Sequence, residues 1–140
     1  VLWLVTKKNP FKKKPLYTLQ ERLNKAKKLT KNKKKIKVVY LDKTVKSIRS
    51  IDIINYLLHK KKLKIIYFII GSDNLIKFHK WKSWKKIVKL TKLIVFSRRG
   101  YDRKGYKSTV AKYLKNNIIF IKNKSISISS SKLRNLVRKK

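Results

Sequence analysis

The sequence predicts an α/β fold in which short parallel strands alternate with amphipathic helices. Apolar runs rich in isoleucine and valine recur along the 140 residues, and they are too short to be helices. Between them lie segments whose apolar residues are spaced three and four apart, which is typical of a helix with one buried face. This alternation favours right-handed βαβ units and a parallel sheet covered on both faces. No internal repeat or second domain is indicated, so we expect residues 1–140 to form a single domain.

The first half of the chain predicts two strands separated by a capped helix. The predicted strands are Val1–Thr6 and Ile36–Leu41, and the helix between them runs from Leu16 to about Leu29. Thr18 and Glu21 have the spacing of a capping box, which fixes the start of that helix. A polar loop is expected to follow the second strand as far as about Arg49, and Ser50-Ile51-Asp52 then opens another helix.

The second half is organised around the apolar run Ile65–Ile70, which closes on Gly71. We predict a fully buried strand here, because an uninterrupted apolar run of this length is typical of a parallel sheet. Gly71 would let the backbone turn sharply and let a ligand approach closely. Further strands are predicted at Leu93–Ser97 and Ile118–Ile121, and helices at Lys82–Leu90, Tyr106–Leu114 and Lys132–Arg138.

The charge balance is extreme, with 42 Lys and Arg residues against 5 Asp and Glu residues and a formal net charge of +37. Taken alone, this balance indicates nucleic-acid binding, because cationic surfaces release counterions when they bind phosphates. A second interpretation is that lysine fills solvated positions as a result of drift in an AT-rich genome. The excess is nearly all lysine and is spread along the whole chain, which favours this second interpretation.

The chain contains no cysteine, so disulfides and thiolate metal sites are excluded. Its apolar runs are far shorter than the roughly 20 residues of a membrane-spanning helix, and no signal peptide opens the sequence. These features predict a cytoplasmic protein with no membrane partner. Methionine is absent, and Val1 begins directly inside a strand-like run. We therefore expect that an N-terminal piece of the protein is missing.

Polar and aromatic residues follow the central strand at once. Asp73 and Asn74 come directly after Gly71, and Trp81 follows a short amphipathic segment. In open α/β sheets, ligands bind outside the carboxyl ends of the strands, so these side chains are candidates for ligand contacts. The alternatives are that Asp73 caps a helix, as many aspartates before helices do, and that Trp81 packs in the core.

A second candidate site lies at Ser129–Arg134, where three serines precede a predicted helix. The first backbone N–H groups of a helix have no partner within it, and such a helix end binds phosphate. Arg134 lies one turn after Ser130 and could clamp the same anion with its guanidinium. The alternative is an ordinary serine cap beside a surface arginine.

Three other cations are expected at the same sheet edge as Gly71, namely Lys12, Lys13 and Arg98. They could reach a polyphosphate, although any one lysine among so many is more simply a solvated residue. The two histidines make no metal or catalytic constellation, and neither a P-loop nor a G-x-G-x-x-G fingerprint is present. The residues alone therefore predict a phosphate-handling α/β domain with no metal site of its own.

The motifs resemble those of the bacterial nicotinate-nucleotide adenylyltransferases, of the nucleotidyltransferase superfamily. That family has a strand ending in G-[AS]-D, then a tryptophan, and later I-S-S-[TS]-x-[IL]-R. The matching residues here are Gly71-Ser72-Asp73, Trp81 and Ile128–Arg134. The segments Trp3–Lys12, Ser50–Asp52 and Leu93–Gly100 resemble further family landmarks in the same order. The resemblance covers essentially the whole chain and implies the Rossmann-like parallel sheet of this superfamily.

The sequence departs from the family at its front. The superfamily's G-x-[FS]-D-x-x-H-x-G-H segment, whose histidines bind the ATP phosphates, is absent, so no catalytic residue is identified here. We expect that roughly 20–30 residues, about one βα unit, have been lost. A chain without that unit is predicted to be catalytically inactive and poorly stable.

The resemblance implies transfer of AMP from ATP to nicotinate mononucleotide, with Mg²⁺ bridging phosphates, as a step in NAD biosynthesis. By this resemblance, ATP would be bound by Gly71, Asp73, Ser129, Ser130, Ser131 and Arg134, and nicotinate mononucleotide by Ser50, Trp81 and Lys82. One alternative is another adenylyltransferase, such as the pantetheine-phosphate enzyme, although the spacing from Asp73 to Trp81 argues against it. The other alternative is a basic nucleic-acid-binding protein. For an adenylyltransferase, in contrast, no specific nucleic-acid partner is expected.

Overall fold

The computed structural model describes residues 1–7 and 15–123, and it divides the chain into two compact units, Val1–Tyr56 and Leu57–Lys140. The predicted α/β class is confirmed, because every strand pairing in the described residues is parallel. These strands form a two-stranded sheet, β1-β2, and a three-stranded sheet, β3-β4-β5. The single domain that the sequence indicates stays a prediction.

The first unit contains a small sheet and a well-capped helix. Its elements are β1 (Leu2–Leu4), α1 (Leu19–Thr30), β2 (Lys37–Val39), α2 (Asp42–Val45) and the start of α3 (Ser50–His59). The predicted capping box is present, since the Glu21 backbone N–H donates to Thr18 Oγ1 at 3.2 Å and the Thr18 N–H donates to Glu21 Oε2 at 2.7 Å. Both bonds satisfy groups that the helix start would otherwise leave without a partner.

Helix α2 corrects the prediction of an uninterrupted polar loop before Arg49. The helix has only one turn, and Lys46 ends it in the left-handed region with φ 54°. The Lys46 N–H donates to the carbonyls of Asp42 and Lys43, which closes the turn. A single turn of this kind is too short to show an apolar periodicity in the sequence.

The second unit places helices between the strands of the larger sheet. Its elements are β3 (Tyr67–Gly71), α4 (Ser72–Leu75), a 3₁₀ turn (Phe78–Lys80), α5 (Trp84–Leu90), β4 (Lys92–Phe96), α6 (Asp102–Tyr106), α7 (Thr109–Leu114) and β5 (Ile118–Ile121). The helix predicted over residues 106–114 is wrong as a single element. Ser108 accepts a hydrogen bond from the Ala111 N–H at 3.2 Å and starts α7 as a separate helix.

The sheet of the second unit is buried on one face only. Ile70, Leu93 and Val95 are buried with the helix residues Leu75 and Ile87. On the opposite face, Ile69 and Ile119 are each 46% exposed, and they flank Ile94 in the strand register. The prediction of a fully buried strand β3 is therefore wrong for the described residues, and the sheet covered on both faces stays a prediction. Successive side chains of a strand point to opposite faces, so an apolar run does not reveal whether both faces are covered.

Candidate functional site

The ends of β3 and β4 bring four polar side chains to one edge of the sheet. Gly71 ends β3, and Ser72 and Asp73 begin α4 directly after it. Residue Gly71 pairs in register with Phe96, which ends β4 and is followed by Ser97 and Arg98. Because the strands are parallel, both carboxyl ends open at this edge, which is where α/β proteins bind ligands.

Asp73 and Arg98, two residues predicted as site residues, form an ion pair. Arg98 Nη1 lies 3.1 Å from Asp73 Oδ2, and the Asp73 side chain is only 17% exposed. The Asp73 carboxylate is therefore held in one orientation by a charge-assisted hydrogen bond. Its other oxygen, Oδ1, is buried and accepts no hydrogen bond from the described part of the chain.

Gly71 has a close contact with Asp73 that the sequence did not predict, and its expected role in ligand approach stays a prediction. Its backbone is extended, with φ −86° and ψ 157°, so no left-handed turn demands glycine. A Cβ atom at this position would lie 2.6 Å from Asp73 Oδ1. The missing side chain therefore makes room for the carboxylate of Asp73, which folds back over the end of β3.

Asp102, at the start of α6, connects these groups, and the sequence analysis missed it. Its Oδ1 accepts hydrogen bonds from Ser72 Oγ at 2.6 Å and from the Arg98 N–H at 2.8 Å, while its Oδ2 accepts one from Ser97 Oγ at 2.7 Å. We refer to Ser72, Asp73, Ser97, Arg98 and Asp102 as the Asp102 network. The bond from Ser72, followed by those from Arg98 and Ser97, lowers the pKa of the Asp102 carboxyl. The carboxylate is therefore ionised at neutral pH.

A sequence signal for Asp102 was available. It is one of only five acidic residues in the chain, and a single residue, Tyr101, separates it from the basic turn Arg98-Arg99-Gly100. A carboxylate just after a basic turn is a candidate acceptor for backbone and side-chain donors of that turn, although its partners at a distance in sequence cannot be read from this position.

Trp81 lies in an aromatic cluster with Phe68 and Phe78. Its ring centroid is 4.9 Å from that of Phe78 and 6.2 Å from that of Phe68, with the Phe68 contact nearly edge-to-face. Phe78 is fully buried, while Trp81 is half-buried. The alternative interpretation of Trp81 as a packed aromatic is thus supported, and its predicted contact with a nicotinate ring stays a prediction. Lys82 follows on an exposed turn.

Ser50 belongs to the first unit, where it is the first residue of α3 and half-buried. Nearby, Ser47 Oγ donates to Asp52 Oδ2 at 2.6 Å, and the Lys7 N–H donates to the buried Asp42 at 2.7 Å. An open groove of about 770 Å³ is lined by Lys7, Asp42, Ser47 and Asp52, but not by Ser50, and its other walls include Lys43, Lys46 and Arg49. The mixture of cations, carboxylates and hydroxyls suits a polar anionic ligand.

The remaining predicted site residues lie outside the described residues. They are Lys12, Lys13, Ser129, Ser130, Ser131 and Arg134, together with the predicted helix Lys132–Arg138. Within the described ranges, no group of three or more His, Cys, Asp or Glu side chains could hold a metal ion. None of the helices in those ranges has the length and apolar character needed to cross a membrane.

Comparison with known proteins gives two kinds of match. Residues 1–136 match the model of the cytidylyltransferase-like family. A protein of Pelagibacter ubique (strain HTCC1062), named a probable nicotinate-nucleotide adenylyltransferase, is 45% identical over 137 residues, which cover 97% of this chain and 76% of the relative. A protein of the same name from Aquifex aeolicus (strain VF5) is 34% identical over 137 residues, covering 94% of this chain and 81% of the relative.

Proposed function

The chain belongs to the cytidylyltransferase-like family and to the nicotinate-nucleotide adenylyltransferases, and from this premise we propose that its site serves the transfer of AMP from ATP to nicotinate mononucleotide. The sequence contains no H-x-G-H histidines, so we expect this chain to bind the nucleotides but not to complete the transfer alone. The products are nicotinate adenine dinucleotide and pyrophosphate, so the reaction is a step of NAD biosynthesis. The names of the relatives favour this function over pantetheine-phosphate adenylyl transfer and over nucleic-acid binding. The proposal includes a cytoplasmic location, where ATP and the mononucleotide are available.

The observation that carries the proposal is the arrangement of Asp73 over Gly71. Arg98 binds one carboxylate oxygen of Asp73, and the other oxygen is left as a buried acceptor at the carboxyl end of β3. A buried carboxylate oxygen without a donor is costly, and a ligand hydroxyl would satisfy it. The ribose of ATP supplies such hydroxyls, and we assign Gly71 and Asp73 to the adenosine half of the substrate.

The reaction requires positioning rather than a protein nucleophile. A phosphate oxygen of nicotinate mononucleotide attacks the α-phosphorus of ATP in line, the new P–O bond forms, and the bond to the bridging oxygen breaks as pyrophosphate leaves. The negative charge that develops on pyrophosphate needs cationic and N–H donors. In the proposal these come from Lys12, Lys13, Ser129, Ser130, Ser131 and Arg134, and Arg98 contributes by orienting Asp73.

The resemblance to the family assigns Ser50 of the first unit, and Trp81 and Lys82 of the second, each to contacts with the mononucleotide. Lys82 is exposed, and its ammonium suits the nicotinate carboxylate, while the Trp81 indole suits the pyridine ring. Mg²⁺ fits as a companion of ATP, because it keeps most of its waters and binds through substrate phosphates, and the described residues offer no ligand cluster of their own. When bound, it would neutralise phosphate charge.

The test separates binding from turnover. Isothermal titration of the purified chain with ATP is expected to show one saturable site that is weakened in Asp73→Ala and unchanged in Glu21→Gln, whose side chain caps α1 in the first unit. A G-x-F-D-x-x-H-x-G-H segment from a related enzyme is then joined in front of the chain, and pyrophosphate release is measured with nicotinate mononucleotide, nicotinamide mononucleotide or phosphopantetheine as acceptor. Absence of ATP binding, together with tight RNA binding that weakens steeply with salt, would overturn the proposal.

A further inference from the structure

Asp102 touches neither of the residues that we assign to adenosine, yet it controls the position of both through its hydrogen bonds. It holds the Ser72 hydroxyl at 2.6 Å, and Ser72 is the residue between Gly71 and Asp73. It also holds the Arg98 N–H at 2.8 Å, and the Arg98 side chain in turn binds Asp73. These contacts form a closed circuit that returns to Asp102.

The circuit is buried at Ser72. Ser72 is 1% exposed, so its hydroxyl has no access to bulk water as an alternative partner. Gly105, one turn along α6 from Asp102, packs against Ser72, and a Cβ there would lie 3.3 Å from the Ser72 Cβ. Helix α6 is thereby seated directly on the turn after β3. Loss of the Asp102 carboxylate would leave the Ser72 and Ser97 hydroxyls and the Arg98 N–H to find new partners.

We propose that Asp102 is a positioning residue for nucleotide binding, which acts through Ser72 and Arg98 to hold the Asp73 carboxylate over Gly71. Its carboxylate spans the gap between the ends of β3 and β4 and fixes their relative register beyond the last paired residues, Gly71 and Phe96. Bonds to an ionised acceptor are short and strong, so this arrangement is preorganised before any ligand arrives. The proposal rests on the assignment of Asp73 to ATP.

The first arm of the test needs no ligand. Free energies of unfolding are measured by urea for the wild type, Asp102→Ala, Asp73→Ala and the double variant. If Asp102 holds Asp73 through the circuit, the losses of unfolding free energy in the two single variants do not add up to the loss in the double variant, because either change breaks the same chain of contacts. Additive losses would overturn the proposal. Should Asp102→Ala fail to fold, Asp102→Asn, which keeps the shape and an acceptor oxygen, replaces it in the cycle.

The second arm measures ATP affinity by isothermal titration. Asp102→Ala is expected to lower the affinity about tenfold, the equivalent of one hydrogen bond, and Asp102→Asn is expected to restore part of the loss. In the Asp73→Ala background, Asp102→Ala should change the affinity no further. Ser108→Ala is the matched control, because it removes the cap of α7 in the same unit without touching the Asp102 network.

The outcomes separate the two proposals. If the wild-type chain binds no ATP, the nucleotide assignment fails, and the role of Asp102 in nucleotide binding fails with it. The unfolding cycle then still decides whether the circuit itself exists. If the wild type binds ATP and Asp102→Ala binds it equally well, Asp102 is only structural and the inference is overturned while the proposed function stands.

Discussion

The two units each carry two aspartates in the first turns of helices, but they use them differently. In the first unit, Asp42 accepts a hydrogen bond from the Lys7 N–H and Asp52 accepts one from Ser47 Oγ, as two separate contacts. In the second unit, Asp73 and Asp102 are joined through Arg98 into one network. The same residue type at the same kind of junction stabilises a local turn in one case and builds a connected site in the other.

This difference shows how acidic residues are used in a chain dominated by lysine. Each of the five acidic residues accepts a hydrogen bond from a backbone N–H, a hydroxyl or an arginine; the five are Glu21, Asp42, Asp52, Asp73 and Asp102. Asp73 also forms an ion pair with Arg98. The acidic side chains therefore fix local geometry, and they are far too few to neutralise the charge of the lysines.

The largest expected effect is the loss of stability when a buried aromatic side chain of the second unit is removed. Phe78 is fully buried and contacts both Phe68 and Trp81, so Phe78→Ala is expected to lower the free energy of unfolding by about 3–5 kcal/mol. Trp3→Ala in the first unit is the comparison, because Trp3 is 42% exposed and should cost less. Urea unfolding measures both variants. Equal losses would mean that the two units are supported alike.

The next effect concerns the close approach of Asp73 to Gly71. Gly71→Ala places a Cβ 2.6 Å from Asp73 Oδ1 and is expected to cost about 1–3 kcal/mol, as overpacking does. In an Asp73→Ala background most of this cost should disappear, because the clashing oxygen is gone.

Gly100→Ala provides the control for that experiment. Gly100 has φ 81° and open space around its Cα, so its substitution strains the backbone without a steric clash. Its cost should be the same with and without Asp73. A Gly71→Ala cost that survives Asp73→Ala would show that the glycine is needed for some property of the backbone itself.

Much of the fold could be predicted from local patterns. The Thr18–Glu21 capping box and the strand ending at Gly71 depend on residues close in sequence, and both were found where expected. Helix α2 and the break at Ser108 were not, because a single turn and a serine cap give no periodicity. The exposure of Ile69 could not be predicted, since it depends on whether other segments cover that face of the sheet.

The candidate site could likewise be predicted only in part. Gly71, Asp73 and Arg98 were predicted as individual residues at strand ends, and the structure brings these three together. Asp102 was missed because its importance comes from contacts that span 30 residues to Ser72. A single sequence shows which residues end strands, but it does not show which carboxylate reaches across two of them.

A smaller expected effect is the loss of stability when one aspartate of each unit is replaced by asparagine. Asp42 Oδ2 accepts a hydrogen bond from the Lys7 N–H, and Oδ1 accepts none from the described residues. Asp42→Asn keeps an acceptor for Lys7 and is expected to cost about 1 kcal/mol or less, whereas Asp102→Asn disturbs three bonds and should cost more. Thermal or urea unfolding at neutral pH compares them. The reverse order would show that the isolated contact of the first unit matters more than the network.

The smallest effect is the dependence on pH of the difference between the wild type and Asp102→Asn. Hydrogen bonds from Ser72, Arg98 and Ser97 lower the pKa of Asp102 in the folded chain, so folding favours its ionised form. Its contribution to stability is complete above the ordinary aspartate pKa of about 3.9 and is lost as the pH falls through the lowered value.

The difference in free energy of unfolding between the wild type and Asp102→Asn, measured with urea at constant ionic strength, should therefore be constant from neutral pH to about pH 5 and shrink below about pH 4. Glu21→Gln should follow the same sign in the first unit, because the backbone and hydroxyl bonds of Thr18 lower the pKa of Glu21. A difference that stays constant into strong acid would mean that Asp102 acts through its shape alone, and that its charge does not stabilise the network.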